Sequence, residues 1–232
     1  MSESAPAGFP VYASGKTDAT RAVIVIQEAF GVNDHIRSVA DRFADEGYLA
    51  VAPHLFHRDG SPEIPYDDFS AAMPFMASLT KQGLTNDLNA TTDFLATLGF
   101  RAPNIAAVGF CMGGTVSFFA ATLGTVGAAA SFYGGGVTTG RFGLAPLVEL
   151  AAELRCPWLG LYGDLDQSIP PEQVEVLRDA TDAVSVTTEI VRYAEGQHGF
   201  HCDARPAAFN EAAATDARAR ALAFFAEHLS DK

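Results

Sequence analysis

Three short segments of the chain carry residue types that together do acyl-transfer chemistry. The first is Gly109-Phe110-Cys111-Met112-Gly113-Gly114, which follows an apolar run from Ile105 to Val108 and precedes a helical pattern after Gly114. This is the context of a nucleophile elbow with Cys in place of Ser. A nucleophile held in a tight strand-to-helix turn needs small residues two positions before and after it, and Gly109 and Gly113 fill those positions. The turn aims Cys111 at a helix N-terminus, where unpaired N–H groups and the positive end of the dipole favour thiolate over thiol. The backbone N–H of Met112 is a candidate oxyanion donor. The competing reading of the hexapeptide is a packing corner or a phosphate cradle.

A nucleophilic Cys needs a base, and the base needs an orienting carboxylate. Gly163-Asp164-Leu165-Asp166 follows a strand-like run from Pro157 to Tyr162, and Gly196-Gln197-His198-Gly199-Phe200 follows a run ending at Tyr193. Of six histidines, His198 alone combines a preceding strand with flanking glycines that give its ring room to reach a turn. His54 and His57 fall in a loop, His35 at a helix start, His201 just after the candidate and His228 near a helix end, and these five read as solvated or packed. Asp164 and Asp166 compete for the acid role, and spacing does not separate them. Either can instead cap the helix that follows.

The elements that must position these residues alternate along the chain. A β-branched run, Ala22 to Ile26, is followed after Gly31 by helical spacing with Ile36, Val39 and Phe43 on one face. Asn33 or Asp34 caps that helix, and Gly47 stops it before a strand over Tyr48 to Ala52. His54 to Tyr66 reads as a loop, and Leu84, Leu88, Leu95 and Leu98 mark a longer amphipathic helix. A strand over Ala128 to Phe132 precedes a Gly-rich excursion from Gly134 to about Leu144, a surface loop or lid. A helix over Pro171 to Ala180, a strand over Val184 to Tyr193 and a closing helix over Ala207 to Leu229 complete the order. Such alternation predicts an α/β fold with a mostly parallel central sheet and helices on both faces. Sites form at the carboxyl ends of its strands.

Composition narrows the function classes. The 232 residues are 48% hydrophobic, enough to cover both faces of one buried sheet, and a single domain over residues 1–232 is expected. A formal charge of −13 with no basic run excludes nucleic acid and anionic membrane surfaces as expected partners. Met1 to Pro10 lacks the features of a secretory signal and no apolar run reaches bilayer-spanning length, so the expected location is cytoplasmic. Three cysteines, Cys111, Cys156 and Cys202, make an odd, widely spaced set that suits neither a disulfide framework nor a Cys-x-x-Cys zinc site. No metal and no organic cofactor is expected, and the acidic chain is expected to be a monomer.

The chain resembles the dienelactone hydrolase family of α/β-hydrolases. The resemblance rests on Gln27-Glu28-Ala29-Phe30-Gly31-Val32-Asn33, the turn at Cys111, Phe132-Tyr133-Gly134, the segment from Gly163 to Pro170, and His198-Gly199-Phe200. It implies an ester or lactone hydrolase of the carboxymethylenebutenolidase type with Cys-His-Asp catalysis. The nucleophile is Cys111, the base His198, and the acid Asp166 rather than Asp164. It also implies that Glu28 contacts the resting thiol and helps control its ionisation, and that Ala29 gives the second oxyanion N–H. Family members that hydrolyse dienelactone bind its carboxylate with arginines before the elbow and shortly after the His-x-Phe segment. Here Asp59 to Gly99 contains no Arg, Cys202 stands at the second position, and Arg205, three residues further on, can substitute only by a different loop path. A carboxylate buried without a cation is costly, so these departures argue against a small anionic lactone as substrate. Three other readings stay open: an esterase or thioesterase acting on a neutral acyl group, a thiol redox protein in which Cys202 or Cys156 resolves an oxidised Cys111, and a non-catalytic binding protein using the same cleft.

Overall fold

A computed structural model describes residues 2–4 and 7–232, the first three by backbone alone. The N-terminal reading over Met1 to Pro10 therefore lies partly outside the described residues, at 1, 5 and 6. Among the described residues, eight strands form one sheet: β1 (Ser2–Ser4), β2 (Val11–Ser14), β3 (Ala22–Ile26), β4 (Leu49–Pro53), β5 (Ile105–Phe110), β6 (Ala128–Phe132), β7 (Trp158–Gly163) and β8 (Thr188–Tyr193). Their spatial order is β1-β2-β4-β3-β5-β6-β7-β8, parallel from β4 to β8, with β1 and β2 antiparallel at one edge. Every residue of β3, β5 and β6 is buried. Strands buried on both faces read as continuous apolar runs, which is why the sequence pattern found them.

Among the described residues, seven α-helices accompany the sheet: α1 (Asp34–Asp45), α2 (Phe69–Ser78), α3 (Lys81–Thr97), α4 (Met112–Leu123), the single-turn α5 (Leu147–Leu150), α6 (Pro171–Asp182) and α7 (Glu211–His228). The Asn33 side chain accepts from the N–H of Ile36 at 3.2 Å, so Asn33 is the cap of α1 and Asp34 its first residue. Such a cap contributes about 1 kcal/mol. Gly47 then sits at φ 91°, a conformation open to Gly, as the chain turns into β4.

Several boundaries differ from the sequence expectation. Helix α4 starts at Met112 rather than after Gly114, so Cys111 is the cap residue itself. Strand β8 starts at Thr188, because residues 183–187 turn out of α6, and α7 starts at Glu211, where the Asn210 side chain accepts from Ala213 N–H at 3.0 Å. Helix α2 was not expected. Its Phe69 and Met73 are half exposed and face the cleft described below, so its apolar residues lack the one-sided burial that marks a core helix. Strand β2 was also missed, being four residues long and half-buried toward one end. Among the described residues, no helix is long and apolar enough to cross a membrane.

Candidate active site

The turn after β5 holds Cys111 at φ 55°, ψ −116°, an uncommon backbone conformation for a residue with a side chain. Such a conformation costs about 1–3 kcal/mol and persists where its surroundings over-determine it. Here they do: the Cys111 N–H donates to Phe132 O at 3.0 Å, and the Gly114 N–H donates back to Cys111 O at 3.0 Å. A Cβ on Gly109 would strike the Gly113 carbonyl, and one on Gly113 would lie against the carbonyls of Ile26 and Gln27. The two glycines thus do what the sequence required of them, letting α4 pack directly on β5 and β3.

Three strand ends deliver three side chains to one point. His198, on the loop after β8, places Nε2 3.1 Å from Cys111 Sγ and Nδ1 2.6 Å from Asp166 Oδ2. The second Asp166 oxygen accepts from Ser168 N–H at 2.8 Å, Ser168 Oγ at 2.7 Å and Ile169 N–H at 3.2 Å. Asp166 is almost fully buried while the His198 side chain keeps 29% of its exposure, a carboxylate behind and a ring open to the cleft. Asp164 is occupied elsewhere, in an ion pair with Arg192 at 2.6 Å that continues to Glu175. The geometry therefore separates the two aspartates that spacing could not.

Electrostatics follow the geometry. Burial alone would lower the pKa of His198, but the Cys111 thiolate and the Asp166 carboxylate overcome it and raise the value to about 10. For Asp166, burial pushes the pKa up, and the His198 and Ser168 contacts more than reverse it, leaving the carboxyl below its ordinary range. Since the folded value of His198 lies above the ordinary one, its charged ring stabilises the folded state fully below about pH 6.5. That contribution is lost as pH rises through about 10.

Glu28, just beyond β3, is wholly buried, and its two carboxylate oxygens accept from Tyr66 Oη at 3.0 Å and Tyr133 Oη at 3.3 Å. The resting thiol faces His198, so the expected Glu28–thiol contact is replaced here by two tyrosine hydroxyls. Neither Tyr66 nor Tyr133 was singled out as a site residue in the sequence. The signal for Tyr133 was its place directly after β6; in the structure it sits at φ 41° with its ring tilted 60° to that of His198, centroids 5.2 Å apart. Ala29 is buried beside Glu28, and Met112 opens α4, where first-turn N–H groups have no intrahelical acceptor. The other five histidines are packed or paired away from the cleft. For example, His57 stacks on Phe9 and meets Asp87, and His201 lies among Phe110 and Phe132, where burial pushes its pKa down to about 3.

The thiol and His198 open into a cleft of about 1010 Å³, walled by Phe30, Phe69, Met73, Phe142 and Leu165. Arg141 and Arg205 also line it. Arg205 stacks within 6 Å of the Phe30 and Tyr66 rings, and it folds over Gly199, whose missing side chain leaves that space. Arg141 comes from the Gly-rich segment after β6. The expectation of a cleft without cations is therefore corrected: guanidinium groups reach it from loop positions outside the expected segments. Cys156 precedes β7 at the opposite end of the parallel sheet from Cys111, which removes it as a resolving thiol.

The dienelactone hydrolase family model matches residues 9–229. This chain belongs to the dienelactone hydrolase family. A Salmonella typhimurium protein provisionally named a carboxymethylenebutenolidase is 38% identical over 209 residues, covering 89% of this chain and 77% of its own. A Synechocystis protein of the same provisional name is 37% identical over 200 residues, covering 84% and 81%. Among solved structures, a Klebsiella pneumoniae protein titled provisionally as a dienelactone hydrolase aligns with a TM-score of 0.82 at 36% identity, over 94% of this chain and 92% of its own. The mostly parallel sheet with flanking helices is the α/β-hydrolase fold of that family.

Proposed function

We propose that this family member is a carboxylic ester hydrolase that opens ester or lactone bonds through Cys111. The observation that carries the reading is the unbroken line Cys111–His198–Asp166, with contacts of 3.1 and 2.6 Å, at the floor of a cleft large enough for a small-molecule acyl compound. The Cys111 thiolate attacks the carbonyl carbon, and the N–H groups of Met112 and Ala29 take the charge that develops on oxygen. The tetrahedral adduct collapses by breaking the C–O bond, and the departing oxygen takes the proton of the His198 imidazolium. This leaves a thioester on Cys111. His198 then removes a proton from water, the hydroxide adds to the thioester, and the thiolate leaves with the acid released. Asp166 fixes the His198 tautomer throughout.

The cleft also supports a substrate class. Apolar walls from Phe30, Phe69, Met73 and Phe142 suit a carbon skeleton, and Arg141 and Arg205 suit an anionic group on it. The deciding experiment is hydrolysis of p-nitrophenyl acetate, a neutral enol lactone and a dienelactone by the same preparation. Preference for the carboxylated lactone is expected. Arg205→Gln and Arg141→Gln should each raise KM for that substrate about tenfold, the worth of one charge-assisted contact, with little change for the neutral ester. Equal effects on neutral and anionic substrates would remove the arginines from recognition.

The two aspartates give a second test. Asp166→Asn is expected to lower kcat by roughly 10,000-fold at most and 100-fold at least. It should also move the alkaline limb of kcat/KM, near pH 10 in the wild type, to lower pH, because a group that raises the His198 pKa is gone. Asp164→Asn should leave both within about threefold, at the cost of an ion pair worth about 1 kcal/mol or less. A pH profile unmoved by Asp166→Asn would detach that carboxylate from the base.

A further inference from the structure

Beside the Cys111–His198–Asp166 line lies a second cluster of buried side chains. Glu28 follows β3, His35 sits in the first turn of α1, and Cys202 stands on the loop between β8 and α7. All three are buried, and one donor atom from each, a carboxylate oxygen, an imidazole nitrogen and the sulfur, lies within 4.8 Å of the others. His35 Nδ1 meets Asp203 at 2.9 Å, and Asp203 is itself held by Arg42 at 2.6 Å. With Nδ1–H donating to a carboxylate, Nε2 carries the lone pair. That nitrogen is buried and has no hydrogen-bond partner.

We infer that Glu28, His35 and Cys202 form a binding site for a divalent transition-metal cation, with Zn²⁺ the expected occupant. Three features carry this. A metal-binding imidazole characteristically donates its other N–H to a carboxylate, which fixes the tautomer and aims the lone pair, and Asp203 does this for His35. Thiolate, imidazole and carboxylate together are the donor set that zinc takes, with a fourth position left for water or a hydroxyl. A dication with two anionic ligands and one neutral ligand is also electrically neutral, which suits a site with no exposed ligand.

The adjustment required is small. Tetrahedral zinc sets its donors about 3.5 Å apart, so the three atoms need to close by roughly 1 Å from their widest separation. Tyr66 and Tyr133 each donate to Glu28, and each carboxylate oxygen keeps a further lone pair. On loading, the Cys202 S–H bond breaks, its electron pair goes to the cation and its proton goes to solvent, with no change of oxidation state. Arg205 stands across the Tyr66 ring and Arg42 beyond Asp203, so the cation enters a pocket whose own positive charges are already paired or stacked. No linear motif joins positions 28, 35 and 202, which is why the sequence predicted no metal. The inference is independent of the ester-hydrolase reading, since neither Cys111 nor His198 is a ligand.

The test is titration of fully reduced protein with Co²⁺, followed by its thiolate-to-cobalt charge-transfer absorption and then by displacement with Zn²⁺. The expected result is one equivalent in the wild type and equally in Cys111→Ser, with the band lost in Cys202→Ser and in His35→Gln. Asp203→Asn, a half-exposed position that does not threaten the fold, should weaken binding about 10- to 100-fold. Near-ultraviolet circular dichroism establishes that each variant is folded. A band that disappears in Cys111→Ser and survives Cys202→Ser puts the metal on the catalytic thiol and overturns the site. The absence of any band in Cys111→Ser overturns it as well.

Discussion

Replacing Cys111 by Ala is expected to lower kcat/KM for an activated ester by about 10,000-fold to a million-fold, with the fold intact. The size follows from what the sulfur does. In the proposed mechanism it is the atom that bonds to the acyl carbon, so its removal leaves only the oxyanion donors and substrate positioning to act on water. His198→Ala should be nearly as damaging, and the double variant no worse than either single one, because the residues act as one unit and their losses do not add. Steady-state rates on p-nitrophenyl acetate, with melting curves to show intact folding, decide it. Turnover within tenfold of wild type in Cys111→Ala would leave the cleft without its proposed nucleophile.

Gly113→Ala is expected to cost more than about 4 kcal/mol, enough to unfold many domains of this size. Helix interiors usually prefer Ala to Gly, so propensity alone predicts a gain. The contact surface reverses the sign: the added methyl would lie against the carbonyl oxygens of Ile26 and Gln27, backbone atoms of the neighbouring strand end that cannot rotate away. Helix α4 would have to lift off the sheet, and Cys111, its cap residue, would move with it. Urea unfolding monitored by tryptophan fluorescence gives the measurement, since Trp158 is buried in β7. A midpoint equal to or above that of the wild type would show that the elbow tolerates side chains there.

Much of this arrangement was legible in the sequence because it rests on local chemistry. The central strands announced themselves as apolar runs, and Gly109, Cys111 and Gly113 announced a tight strand-to-helix turn. Asp164 and Asp166 were inseparable for the opposite reason. The choice depends on Arg192, 28 residues away from Asp164, taking one of them into an ion pair. Helix α2 escaped notice because its apolar side chains are divided between a cleft, at Phe69 and Met73, and the core, at Ala72 and Phe75. Arg141 and Arg205 likewise reach the cleft by loop paths that no spacing rule describes. The partners of Glu28 come from two other loops, and the cluster with His35 and Cys202 exists only in three dimensions.

The proposed catalytic line joins residues 87 and 32 positions apart, on loops that follow three different strands. No contiguous fragment of the chain up to β7 contains it. During refolding, helices and inner strands can form and even pair before the last parallel strand docks, yet the base arrives only with that strand. Return of enzymatic turnover should therefore lag return of far-ultraviolet circular dichroism, and the delay between the two signals would time the docking of β8.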